Sequence, residues 1–259
     1  MHPQSSDVII LRHTDYGEAD RIVSFFSREH GLQKGFARGA RKSRKRFGAA
    51  LEPFASVRLI WQQRSTSSLL SLQEGDLLAL RDGLRKDLKT LALASYACEL
   101  IEVFFGEGGA HPEVFVMLEN LLDQLDQDGA RAEYRLLLEL RLLRLSGHEP
   151  HLLHCSDCGG GLPEETQFHA AHGGSLCPVC AVPGGRRVSR STLGSLARCR
   201  ETEVVSFAGF RLGAKTLGEG APIISDALEL QLPRGLKSRA FLDQVGPLPG
   251  VEKPADKGL

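Results

Sequence analysis

The sequence predicts a multidomain α+β protein with an N-terminal five-stranded OB-like β-barrel, a helical bundle domain and an inserted four-cysteine zinc module. Three observations carry that prediction. Short apolar runs broken by turn residues fill the first 80 positions, the apolar period becomes helical after Asp82, and two C-x-x-C pairs interrupt the helical part. The expected boundaries are 1–80 for the barrel, 81–150 and 189–245 for the two parts of the helical domain, 151–188 for the insert and 246–259 for a disordered tail. A chain of 259 residues has room for these units at about 150 residues per average domain, and 42% apolar with 25% charged residues excludes a long disordered polymer.

In the barrel, Val8–Leu11, Ile22–Phe26, Leu32–Ala37, Phe54–Trp61 and Leu69–Leu72 are the five expected strands. Tyr16-Gly17, His30-Gly31, Gly39 and Glu52-Pro53 separate them, supplying backbone conformations that strands avoid. Periodicity does not set the strand order. Leu84, Leu88, Leu91, Tyr96, Leu100 and Phe104 then fall on a helical stripe that stops at Gly106-Glu107-Gly108-Gly109. Pro112 opens a second helix, because its missing N–H is no loss in a first turn. A third, over 130–146, carries leucines around nearly its whole circumference and is expected at the centre of a bundle. After the Gly-rich insert, helical patterning returns at Ser189–Cys199 and, interrupted by Pro233 and Gly235, at Ile223–Val245.

The net charge is zero, with 32 basic and 32 acidic side chains, which by itself argues against an indiscriminately sticky polycation. The average hides a division. Residues 1–80 carry a net +4, 81–150 a net −5 and 151–259 a net +1. No acidic residue lies between His30 and Leu51, where Lys34, Arg38, Arg41, Lys42, Arg44, Lys45 and Arg46 place seven cations in 13 positions. A strand and loop of this composition, bracketed by Phe36 and Phe47, can follow a sugar-phosphate backbone and offer aromatic faces to bases. The competing reading is a solvated charged loop. Arg186, Arg187 and Arg190 form a smaller cluster that either extends such a surface or solvates the chain.

Cys155, Cys158, Cys177 and Cys180 form two C-x-x-C pairs with 18 residues between the inner cysteines. Each pair aims two sulfurs at one point from a tight turn, and four thiolates close a tetrahedral Zn²⁺ shell, so one structural ion is expected. Reduced turns without metal, a redox dithiol, and His154, His169 or His172 as substitute ligands are the alternatives. Cys98 and Cys199 have no partner at ligand spacing and read as small buried hydrophobes. The apolar N-terminal run is too short for a secretion signal and no stretch reaches 18 apolar residues, so a soluble cytoplasmic protein without membrane contact is expected.

Catalytic signatures do not emerge. Gly213-Ala-Lys215-Thr216 lacks the spacing of a phosphate-binding loop, His148-Glu149-Pro150-His151 is one residue short of a zinc-protease motif, and G-x-S-x-G does not occur. Asp123, Asp126 and Asp128 lie on a polar helix end and read as a solvated face. A non-enzyme is therefore expected, with a zinc-dependent nucleic-acid-processing enzyme and a protein-only adaptor as the competing classes.

The runs Asp15-Tyr-Gly-Glu-Ala-Asp-Arg-Ile-Val23, Phe25-Phe-Ser-Arg-Glu-His-Gly31, Ala37-Arg-Gly-Ala-Arg-Lys-Ser43 and Leu51-Glu-Pro-Phe54, in that order and spacing, resemble the bacterial RecO recombination mediator family. A weaker likeness extends to Lys237-Ser-Arg-Ala-Phe-Leu242. The resemblance implies an OB barrel, a helical domain and a zinc module. It further implies DNA repair and recombination by binding single- and double-stranded DNA and annealing complementary strands. RecO proteins work with RecR, and in some pathways RecF, to help RecA replace single-strand-binding protein, whose acidic tail the helical domain binds. Carried onto this chain, Lys34, Arg38, Arg41, Lys42, Arg44, Lys45 and Arg46 become the implied DNA contacts, in a bacterial cytoplasmic protein that joins the nucleoid when it acts.

Overall fold

The computed structural model describes residues 3–63, 68–203 and 205–250, arranged as two compact units. Met1–Gly129 with Leu236–Leu242 form the first, Ala130–Gly235 with Asp243–Leu259 the second. The helical segments expected over 81–150 and 189–245 are divided between them.

All five expected strands form, as β1 (Gln4–Tyr16), β2 (Asp20–Ser27), β3 (Gly31–Ala37), β4 (Ser56–Gln62) and β5 (Leu70–Ala79). They close into a barrel in the order β1-β2-β3-β5-β4, with β4 returning to β1. Every pairing is antiparallel except β3 with β5, where Gly35 faces Leu70 and Phe36 faces Ser71. This is the five-stranded closure that the OB-like prediction requires. Alternate residues point inward, so Val8, Ile10, Val23, Phe25, Val57, Leu59, Trp61 and Leu72 share one core. Each fully buried aliphatic or aromatic side chain of this kind contributes about 1.5–3 kcal/mol. Strand β2 is buried on both faces, because Phe26 leaves the barrel core and meets Phe105 at a ring separation of 6.5 Å.

The first unit continues with α1 (Leu88–Phe104) and α2 (Pro112–Asp128). The expected stripe starts earlier, but Leu84 lies in a separate 3-10 turn (Asp82–Arg85) and α1 begins after Asp87, whose carboxylate accepts from the Thr90 N–H at 2.9 Å. That cap satisfies a first-turn donor that the helix itself leaves unpaired. The aspartates of α2 act as structural anchors: Asp123 pairs with Arg81, Asp126 accepts from the Leu84 N–H, and Asp128 accepts from Gln124. Within α6 (Lys237–Gln244), Ser238 donates to Glu99 of α1 through both N–H and hydroxyl, at 2.8 and 2.6 Å.

The second unit contains α3 (Ala132–Leu145), α4 (Arg190–Glu201) and α5 (Ala214–Glu229). Helix α3 is buried on nearly all sides, as its leucines require, and packs on α4 and α5. Helical patterning is expected from Ile223, and a proline inside a helix removes a hydrogen bond. The helix instead runs through Pro222 from Ala214, and Leu217, Ile223, Ile224 and Leu228 are all buried. Burial of that apolar face outweighs the local cost. The insert, read as loop-rich, also contains a small antiparallel sheet of β6 (Glu165–His169), β7 (Gly174–Leu176) and β8 (Arg186–Ser189), ordered β7-β6-β8. Of the tail expected over 246–259, Leu248 is buried and the Pro249 carbonyl accepts from the Ala132 N–H at 2.9 Å, while 251–259 lie outside the described residues.

Arg81 joins barrel to helix inside the first unit. Its side chain is only 3% exposed; Nε pairs with Asp123 at 2.6 Å, and Nη1 donates to the Phe54 carbonyl at 2.7 Å and to Ser56 Oγ at 2.9 Å. Arg81→Ala should lower the free energy of unfolding by about 2–3 kcal/mol, since a buried carbonyl and hydroxyl lose their donor and a cavity opens. Urea titration followed by far-UV circular dichroism measures this; a loss under about 0.5 kcal/mol, the level of an ordinary surface substitution, would remove the anchoring role.

Candidate nucleic-acid interface and metal centre

The seven cations lie on β3 and on the connection from β3 to β4. That connection is apolar on one side and basic on the other. Ala37 at the end of β3 and Ala40, Phe47, Ala50 and Leu51 turn inward and join the barrel core, so the intervening Arg38, Arg41, Lys42, Arg44 and Lys45 are left exposed. Gly39 makes the first bend at a φ of 65°, a left-handed conformation that side-chain-bearing residues seldom adopt. Further along, Gly75 of β5 donates its N–H to the Arg46 carbonyl at 2.9 Å. A Cβ at Gly75 would stand 3.1 Å from Val57 and 3.3 Å from Ala50, so the missing side chain lets the loop seat against the sheet.

The cations are not equivalent. Lys34 pairs with Glu107 at 2.6 Å. Arg46 is structural: its guanidinium donates to the Arg38 carbonyl at 2.5 Å and to Ser43 Oγ at 3.3 Å, and lies over the Phe47 ring at 5.1 Å. Arg41 links the loop to the β1–β2 hairpin through Asp15 at 3.5 Å and the Glu18 carbonyl at 3.3 Å. Arg38, Lys42, Arg44 and Lys45 make no side-chain hydrogen bond or ion pair among the described residues, so their charge is uncompensated locally. Of the two bracketing aromatics, Phe47 is buried and Phe36 half-buried, so Phe47 is no stacking face. Sequence reasoning did not single out Tyr16, which is 58% exposed and meets Phe36 edge to face at 5.8 Å.

In the second unit, Arg186 forks onto Asp226, whereas Arg187 and Arg190 are exposed. Arg141 is buried, with its guanidinium 4.4 Å from the Phe207 ring centre and 5.4 Å from that of Phe210. Burial lowers its pKa to about 10.

Cys155, Cys158, Cys177 and Cys180 form one cluster, with all four sulfurs within 4.8 Å of one another. Two turns aim them. The Gly159 N–H closes the first on the Cys155 carbonyl at 2.9 Å, and the Cys180 N–H closes the second on the Cys177 carbonyl at 3.0 Å. Cys158 Sγ and Cys177 Sγ are 3.8 Å apart, close to the edge of a tetrahedron built on metal–sulfur bonds of about 2.3 Å. Backbone hydrogen bonds from Cys177 and Cys158 hold the Cys155 thiol down to about 6, while hydrogen bonding with the Cys177 and Cys158 sulfurs pushes Cys180 up to about 12. A cation at their centre would favour the thiolate form of all four. The set is suited to a metal ion. His154, His169 and His172 do not belong to it; His172 Nδ1 instead meets Asp157 at 3.3 Å. Cys98 and Cys199 stand apart, and burial raises both thiol pKa values.

Comparison with known proteins places this architecture. The family described as Recombination protein O N terminal matches residues 1–81, and Recombination protein O C terminal matches residues 85–240. A DNA repair protein RecO of Syntrophotalea carbinolica is 51% identical over 243 residues, covering 93% of this chain and 94% of the relative. Another from Geobacter sulfurreducens is 37% identical over 250 residues, covering 95% and 100% respectively.

The turns around the cysteines belong to the segment that carries β6–β8, whose few buried apolar residues are Leu152, Leu162, Phe168, Leu176 and Val188. Removing a metal bound there should therefore unravel this segment and spare the barrel. A strong chelator, or Cys177→Ser, is expected to abolish slow amide exchange in β6 and β7 while exchange in β1 and β2 stays unchanged. Equal protection of β6 and β7 before and after chelation would overturn the metal's structural role.

Proposed function

Because the chain belongs to the recombination protein O (RecO) family, we propose that it is a DNA repair and recombination mediator. In this reading it binds single- and double-stranded DNA through the β3 and β3–β4 segment and anneals complementary strands. With RecR, and in some pathways RecF, it helps RecA replace single-strand-binding protein, acting in the bacterial cytoplasm and at the nucleoid. The observation that carries the reading is the loop itself: exposed cations without local counter-charges, on a connection whose other side is fastened into the barrel core. Such a surface meets phosphates without base edges being read, which leaves sequence matching to pairing between the two strands. The protein's part is non-enzymatic. Its cysteine cluster would hold one Zn²⁺ through Cys155, Cys158, Cys177 and Cys180, a closed four-thiolate shell with no position for water or substrate.

Two measurements test this proposal. If four or five phosphates are neutralised, the logarithm of single-strand affinity should fall against the logarithm of salt concentration with a slope of about −3. Arg38→Glu/Lys42→Glu/Lys45→Glu, which removes three cations without structural bonds, should cut affinity at least about ten-fold and flatten the slope to about −1. Unchanged affinity for both single strands and duplex would overturn the site. Elemental analysis of freshly purified, reduced protein should give one zinc per chain, and a metal content near zero would overturn the zinc assignment.

A further inference from the structure

We infer that Tyr16 is a stacking platform for an unpaired nucleobase, so that the barrel surface grips single strands by their bases as well as their phosphates. This rests on the DNA-binding reading above and adds to it a residue and a ligand class. Among the described aromatic side chains of the barrel, Phe25, Phe26, Phe47, Phe54 and Trp61 are buried and Phe36 is half-buried, leaving Tyr16 as the one that is mostly exposed. Tyr96 and Tyr134, the other two tyrosines, are fully buried in helices. A large ring left in water at the end of a strand contributes nothing to the core. Its edge-to-face contact with Phe36, at 5.8 Å and 80°, nevertheless holds it in place.

Its neighbours supply the second argument. Tyr16 ends β1, and the hairpin that follows is fastened to the cationic loop at several points. Asp15 pairs with Arg41 at 3.5 Å, the Ala19 carbonyl accepts from the Arg41 N–H at 3.0 Å, and Asp20 Oδ1 accepts from the Gly39 N–H at 2.6 Å. Ring and cations are therefore parts of one fastened surface. Along β3, Gly35 and Ala37 face the core, which places Lys34 and Phe36 on the same outer face, where Phe36 meets Tyr16. An aromatic ring beside cations that hold consecutive phosphates is the arrangement that binds single strands without sequence preference. Inside a duplex both faces of each base are already occupied by stacking, so along the duplex Tyr16 has no base to receive. The ligand is consequently an unpaired base of any identity.

The test compares the zinc-loaded full chain with Tyr16→Ala and Tyr16→Trp by fluorescence anisotropy. The probes are oligothymidylate of about 16 nucleotides, a duplex of the same length and an abasic strand of the same length. Tyr16→Ala should weaken oligothymidylate binding about ten-fold, equivalent to about 1.4 kcal/mol, and change duplex and abasic binding less than about two-fold; these limits follow from one stacked base. Tyr16→Trp should restore oligothymidylate affinity and show quenched indole fluorescence on binding, a readout that a structural role would not give. An oligothymidylate affinity unaltered in Tyr16→Ala, or equal losses on all three probes, would overturn the inference. The charge-reversed triple variant separates the two claims: its loss of duplex and abasic binding, with Tyr16→Ala unaffected, defeats stacking alone, whereas unchanged binding by the triple variant defeats the DNA-binding reading itself.

Discussion

The insertion of Phe47, Ala50 and Leu51 into the barrel core is the constraint on which the candidate interface depends. A connection holding six cations within nine positions, 38–46, would repel itself if it were free to collapse. Ala40 among the charges and Phe47, Ala50 and Leu51 just beyond them resolve the conflict, because burying them leaves the basic residues on the outer surface. Arg46 completes the arrangement by spending its own guanidinium on the loop's backbone and on the Phe47 ring. The fastening would also lower the entropic cost of the proposed binding, since a loop ordered beforehand loses less freedom when a ligand settles on it.

Whole-chain neutrality and a local cationic surface are compatible for the same reason. At physiological ionic strength, exposed charges beyond about 8 Å are largely screened, so the field at the loop surface is that of the loop itself. Several acidic side chains of the first unit are engaged in structural pairs: Glu102 holds Arg12 through two bonds of 2.7 and 2.8 Å, Asp123 holds Arg81, and Asp7 holds Arg58. Lys34 and Arg41 are themselves partly neutralised, which leaves Arg38, Lys42, Arg44 and Lys45 as the least compensated cations of the segment.

The second unit solves a different problem. The segment carrying β6–β8 has short strands and few large apolar side chains, so hydrophobic burial alone gives it a weak hold. Four sulfurs brought within 4.8 Å supply the missing constraint once a metal binds. Helix α3 presents the opposite case, in which leucines are so abundant that Glu139 and Arg141 are buried among them. Glu139 is compensated by Arg135 at 2.8 Å, and Arg141 by the aromatic rings of Phe207 and Phe210.

Much of this protein was legible in the amino-acid order. Strand and helix positions followed from apolar period, the four-cysteine cluster from two C-x-x-C turns, and the basic segment from an acid-free run, because each signal is local. Where local signals misled, longer-range packing decided: α5 passes through Pro222 to bury its apolar face, and Phe47, which looks like a partner for bases, is consumed by the core. Strand order and the parallel β3–β5 closure depend on which edges meet in space, and no single segment encodes that. The same holds for the distinction among seven similar cations, which rests on where Glu107, Asp15 and the Arg38 carbonyl come to lie. Tyr16 stayed unremarkable in sequence because exposure is a property of the finished surface. Local chemistry is written residue by residue, whereas accessibility and pairing arise only when distant segments share one space.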